Sequence, residues 1–160
     1  MERKQEKPII MNPLLHFLIS YIVINTVFGN AAGYIAFIAL FSVLPDIDHI
    51  PYVIRNGKKL IKKKFGSESR SRFHEMYGLL VYSVIISFAS LFFNSMLAKI
   101  AAMSLTLHIA SDFLVGKSRP FYPFSKKEVS LGIVPEKYRV LSEIILTSLL
   151  GVMVWLSMAN

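Results

Sequence analysis

Apolar residues run through this chain in long blocks, and polar residues gather between the blocks. From Pro8 to Pro45 there are 38 residues without Asp, Glu, Lys or Arg, and from Met76 to Ala98 there are 23 more. A membrane-crossing helix takes about 20 predominantly apolar residues. A buried helix of a soluble bundle keeps a polar face, and these blocks show almost none. The pattern predicts an all-α, polytopic membrane bundle of about five helices, forming one membrane-embedded domain over residues 1–160.

The elements follow from the breaks. Helix 1 is expected over Ile9–Phe28, closed by the turn pair Gly29-Asn30. Helix 2 is expected over Ala31–Leu44, with Pro45 ending it because the residue before a proline is pushed out of the helical region. A polar loop then runs from Asp46 to about Phe73. Helix 3 is expected over Glu75–Leu97 and helix 4 over Ile100–Val115. A second loop, Gly116–Tyr138, carries Pro120, Pro123, Gly132 and Pro135, and helix 5 follows over Val140–Ala159. The stretch Ile9–Phe28 is too long for a signal-peptide core and lacks a small-residue cleavage site, so it reads as a retained first crossing.

Composition adds weight to the pattern. The chain is 54% hydrophobic and 18% charged, against about 25% charged for ordinary soluble domains. There is no cysteine, which excludes disulfides and thiolate metal sites. The net charge is +8. No nucleic-acid partner is expected from it, because the basic residues lie between apolar segments, where they set topology and meet anionic lipid heads.

The distribution of those charges gives an orientation. Of the 18 Lys and Arg residues, Arg3, Lys4 and Lys7 precede helix 1. Eight lie between helices 2 and 3, six lie between helices 4 and 5, and Lys99 alone falls in a turn on the other side. The positive-inside rule makes the face carrying the N-terminus and both long loops cytoplasmic, as in a multi-pass inner-membrane protein. Lys58–Phe65 alternates basic and apolar pairs, a pattern shared by a surface-lying amphipathic helix and a solvated basic loop.

The histidines and aspartates follow the same asymmetry. His16 lies two turns into helix 1, and Asp46, Asp48 and His49 stand at the end of helix 2 in Leu-Pro-Asp-Ile-Asp-His. His74 opens helix 3 beside Glu75. His108 and Asp112, four apart, share one face near the end of helix 4. All seven fall at similar depth near one membrane face. Ionisable groups at that depth face a cavity or one another, and imidazole with carboxylate is a ligand set for zinc, manganese or iron. Seven such groups suffice for two ions, and paired ions are common in phosphoester hydrolysis. Taken singly, each has a plainer reading: a core histidine, turn aspartates, a helix start, a hydrogen-bonded pair.

Together the motifs resemble a known family. A helix-1 histidine, Leu-Pro-Asp-x-Asp-His, a basic segment ending in histidine, His-x-x-x-Asp, and the stretch from Arg119 to Ser125 are similar to the membrane-bound metal-dependent hydrolases. That family includes the LexA-binding, inner-membrane-associated hydrolase and is distantly similar to zinc-dependent phospholipase C and the P1-type nucleases. The resemblance runs from His16 to Ser125. It implies His16, Asp46, Asp48, His49, His74, His108 and Asp112 as metal-site residues, with one or two divalent ions, zinc foremost. It departs at Ser69-Arg70-Ser71-Arg72-Phe73-His74-Glu75, where the family shows His-Arg-Gly-x-x-His-Ser; this leaves the role of Glu75 open.

The expected activity is a metal-dependent, phospholipase C-like hydrolysis of a phosphoester at the cytoplasmic lipid surface. Asp48 would hold a ligand water or act as general base, and Arg70, Arg72 and Arg119 would grip phosphate. For these arginines a topology signal on a wet loop is the plainer reading. Two rivals stand beside the hydrolase: a non-catalytic membrane protein whose metal ties helices together while its basic loops recruit a partner, and an ion carrier. The carrier is the weaker, since the far halves of the helices offer no charged or histidine path.

Overall fold

The computed structural model describes residues 12–48, 50, 54, 72–92, 95–116, 118–131 and 133–159. Among these the fold is all-helical, with five α-helices and no strand; one isolated antiparallel bridge joins Ser118 and Val129. The helices are α1 (Pro13–Phe28), α2 (Ile35–Val43), α3 (Met76–Ala89), α4 (Ser95–Val115) and α5 (Arg139–Ala159).

Local chemistry sets the boundaries. The Asn12 side chain accepts from the Leu14 N–H, and Pro13 occupies the first turn of α1, where a missing N–H costs nothing. Gly29 at φ +66° and Asn30 at φ +45° turn the chain out of α1. The Ala31 N–H donates to Asn25 Oδ1 across that turn. Ala31–Tyr34 winds as a 3-10 turn before α2, and Leu44–Asp48 continues past α2 as another. Pro45 therefore tightens the end of helix 2 rather than stopping it.

The boundary between helices 3 and 4 differs from the sequence expectation. Helix α3 ends at Ala89 rather than Leu97, and α4 begins at Ser95 rather than Ile100. Lys99 accordingly lies in the second turn of α4, exposed, instead of in a connecting turn. The turn at Ser90–Phe92 pairs one serine with two strongly apolar residues, Ser90 Oγ donating to the Ser87 carbonyl, so hydropathy marks it only weakly.

Helix α4 is central and packs against α1, α2 and α3, while α5 packs on α1. The apolar core lies among Leu18, Tyr21, Ile24, Ile38, Ile100 and Val154, at one end of the bundle. The buried ionisable residues His16, His74, Glu75, His108 and Asp112 gather toward the other. Large apolar side chains such as Leu80, Val84, Phe88 and Trp155 face outward. Helices α4 and α5 are each long and apolar enough to cross a membrane; α1, α3 and the Ala31–Ile47 stretch are apolar but shorter.

One contact aligns the start of α3. Gly78 is buried, and a Cβ there would collide with the carbonyl of Phe73. The absence of a side chain lets the 3-10 turn Arg72–His74 lie directly on α3, which fixes where His74 and Glu75 point.

Candidate metal centre

Four segments bring five side chains together. His16 comes from α1, Asp46 from the turn after α2, His74 from the turn before α3, and His108 with Asp112 from one face of α4. His16, His74, His108 and Asp112 are each 1% exposed or less. Asp46 is the most open of the five, with 11% of its side chain exposed.

The distances form a tight web. His74 Nε2 lies 2.7 Å from Asp112 Oδ2 and 3.3 Å from His108 Nε2. His16 Nε2 lies 3.5 Å from Asp112 Oδ1. His108 Nε2 lies 3.7 Å from Asp46 Oδ1 and 4.0 Å from Asp112 Oδ2, and His74 Nε2 lies 4.0 Å from Asp46 Oδ1. The His16 and His108 rings stack with centroids 3.9 Å apart. Two ligand sets emerge, His16–His108–Asp112 and Asp46–His74–His108, sharing His108.

Hydrogen bonding fixes which ring nitrogen faces the centre. His108 Nδ1 is 2.6 Å from the Ser42 carbonyl and His74 Nδ1 is 3.1 Å from the Pro45 carbonyl. A carbonyl only accepts, so both Nδ1 atoms carry hydrogen. The Ser42 carbonyl belongs to the last turn of α2, where no helical N–H is at hand. Ser111 Oγ spends its single hydrogen on the His108 carbonyl and so accepts from His16 Nδ1 at 2.9 Å. In the neutral rings all three Nε2 atoms then present lone pairs inward. This is how outer partners orient metal-ligating histidines.

That arrangement is suited to a metal ion. Lone pairs of His74 and His108 face each other, and two carboxylates join them in a buried volume. His16 Nε2 is buried with no hydrogen-bond partner. A proton can relieve one contact, whereas a divalent ion neutralises both carboxylates and receives all the lone pairs. Donors held at about 2.0–2.2 Å from one ion lie roughly 3–4 Å from each other, a range that covers every distance of the web except the shorter His74–Asp112 contact. The donor set of nitrogen and oxygen without sulfur suits zinc, manganese or iron.

Of the other sequence candidates, only Arg119 has a described side chain. His49 and Arg70 lie outside the described residues, as do the side chains of Asp48 and Arg72. Arg119 packs its guanidinium over the Tyr122 ring, 4.7 Å from the centroid, in the loop after α4. Glu75 is not in either ligand set. Its Oε2 accepts from Ser118 Oγ at 2.9 Å. Sequence reasoning passed over Ser111, although its place three residues after His108 puts it on the same buried side of α4.

Comparison with known proteins places the chain in a family. No curated protein and no solved structure matches it. The family model described as the YdjM inner membrane protein matches residues 11–159, nearly the whole length, and the chain belongs to that inner-membrane family.

Proposed function

We propose that this protein is a membrane-bound, divalent-metal-dependent hydrolase of a phosphoester at the cytoplasmic lipid surface. The observation that carries the reading is the convergence of three histidine Nε2 atoms and two carboxylates, with every Nδ1 tied back to Ser42, Pro45 or Ser111. His16, Asp46, His74, His108 and Asp112 would hold the ion, zinc foremost, with His49 as a further donor. When bound, such an ion supplies Lewis-acid polarisation of a phosphoryl oxygen and lowers the proton affinity of nearby water. The Asp48 carboxylate is assigned to accept the proton of the attacking water. Arg70, Arg72 and Arg119 are assigned to phosphate, which planar guanidinium groups hold in bidentate fashion. The likeness to zinc-dependent phospholipase C and P1-type nucleases belongs to this same reading.

The reading includes a topology. Five crossings put the N-terminus and both long loops on the cytoplasmic face with 17 of the 18 basic residues. The shorter helices α1 and α3 would be met by local thinning of the bilayer.

One observation favours a second reading, in which the ion only ties the helices together. Four of the five donors are 1% exposed or less, and closed sites are typical of structural zinc. The experiment that decides is metal content with stoichiometry, followed by assay of the purified protein on phosphodiester and phospholipid substrates. Bound metal with hydrolysis that Asp48→Ala abolishes, metal being retained, supports the enzyme. Bound metal without turnover supports the structural clip, and a folded protein that takes up no divalent metal sinks both.

A further inference from the structure

We propose that the loop following α4 is a membrane-interface anchor, which sets Phe121 and Phe124 among the lipid headgroups and offers Lys126 and Lys127 to the phosphates of anionic phospholipid. It concerns lipid binding alone and does not depend on turnover at the metal centre.

Hydrogen bonds shape this loop. Ser118 and Val129 exchange both backbone bonds, at 2.9 and 2.8 Å, which closes its base. Ser118 Oγ also donates to Glu75 Oε2, which ties that base to the start of α3. Within the loop the Tyr122 N–H donates to the Arg119 carbonyl and the Ser125 N–H to the Phe121 carbonyl, each at 2.8 Å. Ser125 Oγ accepts from the Lys127 N–H. Tyr122 is half-buried, with the Arg119 guanidinium over its ring.

The two phenylalanines on either side of Tyr122 are left outside. Phe121 is 65% exposed and Phe124 is 89% exposed. Lys126 and Lys127, which follow directly, are exposed as well. Large apolar rings presented on a hydrogen-bonded turn, with charge beside them, mark an interaction surface.

Position and charge say what covers it. Helix α4 has 21 residues, which at 1.5 Å per residue matches the roughly 30 Å hydrocarbon core of a bilayer. It ends at Val115 and α5 begins at Arg139, so the segment between them starts and finishes at one headgroup layer. Ser118, at the base of the loop, is three residues past the end of α4. Aromatic rings are favoured in that layer, and lysines beside it meet the negative surface potential of anionic lipid. Residues 116–138 carry five Lys or Arg against two Glu. A second copy of this chain would bring the same positive charge to the contact, whereas an anionic leaflet complements it.

The test uses the full chain in lipid nanodiscs. Trp155 is its single tryptophan, so Trp155→Phe combined with Phe124→Trp leaves one aromatic reporter, in the loop. Its fluorescence is quenched in turn by phospholipid brominated near the headgroup end of the chains, by phospholipid brominated near the chain ends, and by aqueous acrylamide. The shallow bromolipid is expected to quench most and acrylamide least. Brominated phosphatidylglycerol should quench more than brominated phosphatidylcholine at the same mole fraction. Adding Lys126→Gln and Lys127→Gln should cut that local anionic excess about fivefold, the scale of one basic residue at an anionic surface. Quenching by acrylamide without quenching by lipid puts the loop in water and overturns the proposal. Protection from every quencher puts protein over it and overturns the proposal too, as does strongest quenching from the chain ends. Equal quenching by the two lipid classes, or an anionic excess unchanged in the lysine variant, removes the charged half and overturns it as stated. Should Phe124→Trp not fold, Phe121→Trp in the same background reports on the same layer.

Discussion

His74 and Asp112 meet at 2.7 Å although 38 residues separate them, and the His74 ring donates through Nδ1 to a carbonyl at the end of a third segment. One imidazole thus joins the start of α3, the face of α4 and the turn after α2. Because Nδ1 carries the hydrogen, the short Nε2–carboxylate contact calls for a proton or a metal ion between the two atoms. Asp112→Asn keeps the shape and removes the charge. The purified variant is expected to lose at least tenfold in bound metal by elemental mass spectrometry, on the scale of lost ligands and outer partners. Full metal loading in Asp112→Asn would remove the centre as described.

Ser111 offers a milder test. Its hydroxyl holds the His16 ring through Nδ1 and contacts no ligand atom facing the centre. Ser111→Ala should leave the fold intact and weaken metal retention about 10- to 100-fold in competition with a chelator. An unchanged chelator midpoint would show that His16 does not need this support.

Gly78 connects packing to the site. Any Cβ there meets the Phe73 carbonyl, so Gly78→Ala must push away the turn that carries His74. A loss of about 1–3 kcal/mol is expected from such overpacking, seen as a lower Tm in detergent. Metal content should fall with it. A variant with unchanged Tm and metal would mean that the turn can shift without disturbing His74.

The absence of native cysteine makes topology directly measurable. Single cysteines at Ser67 and Ser125 should react with impermeant maleimide only after the inner face is opened. One at Leu91, in the exposed turn between α3 and α4, should react from outside. Labelling of Ser67→Cys from outside would reverse the proposed orientation.

Much of the fold lies in the sequence because charge and hydropathy both report on it. Five apolar blocks become five helices, and the spacing of His108 and Asp112 places them on one buried face of α4. The turn at Ser90–Phe92 was hidden for a physical reason. Leu91 and Phe92 are exposed apolar residues, and the one polar side chain of the turn, Ser90, is spent on the Ser87 carbonyl, so the segment reads as a continuation of the apolar block. Lys99 was misplaced for the same reason. Glu75 was ambiguous because adjacent residues in a turn can face opposite ways, and only the close passage over Gly78 decides that His74 turns inward and Glu75 toward Ser118.

Two of the three histidines are oriented by main-chain carbonyls, at Ser42 and Pro45. An alanine scan would leave both acceptors in place and score these positions as silent. Two of the three contacts that aim the histidines are therefore invisible to side-chain genetics. It would be exposed by changes that displace the backbone, such as an insertion in the Leu44–Asp48 turn.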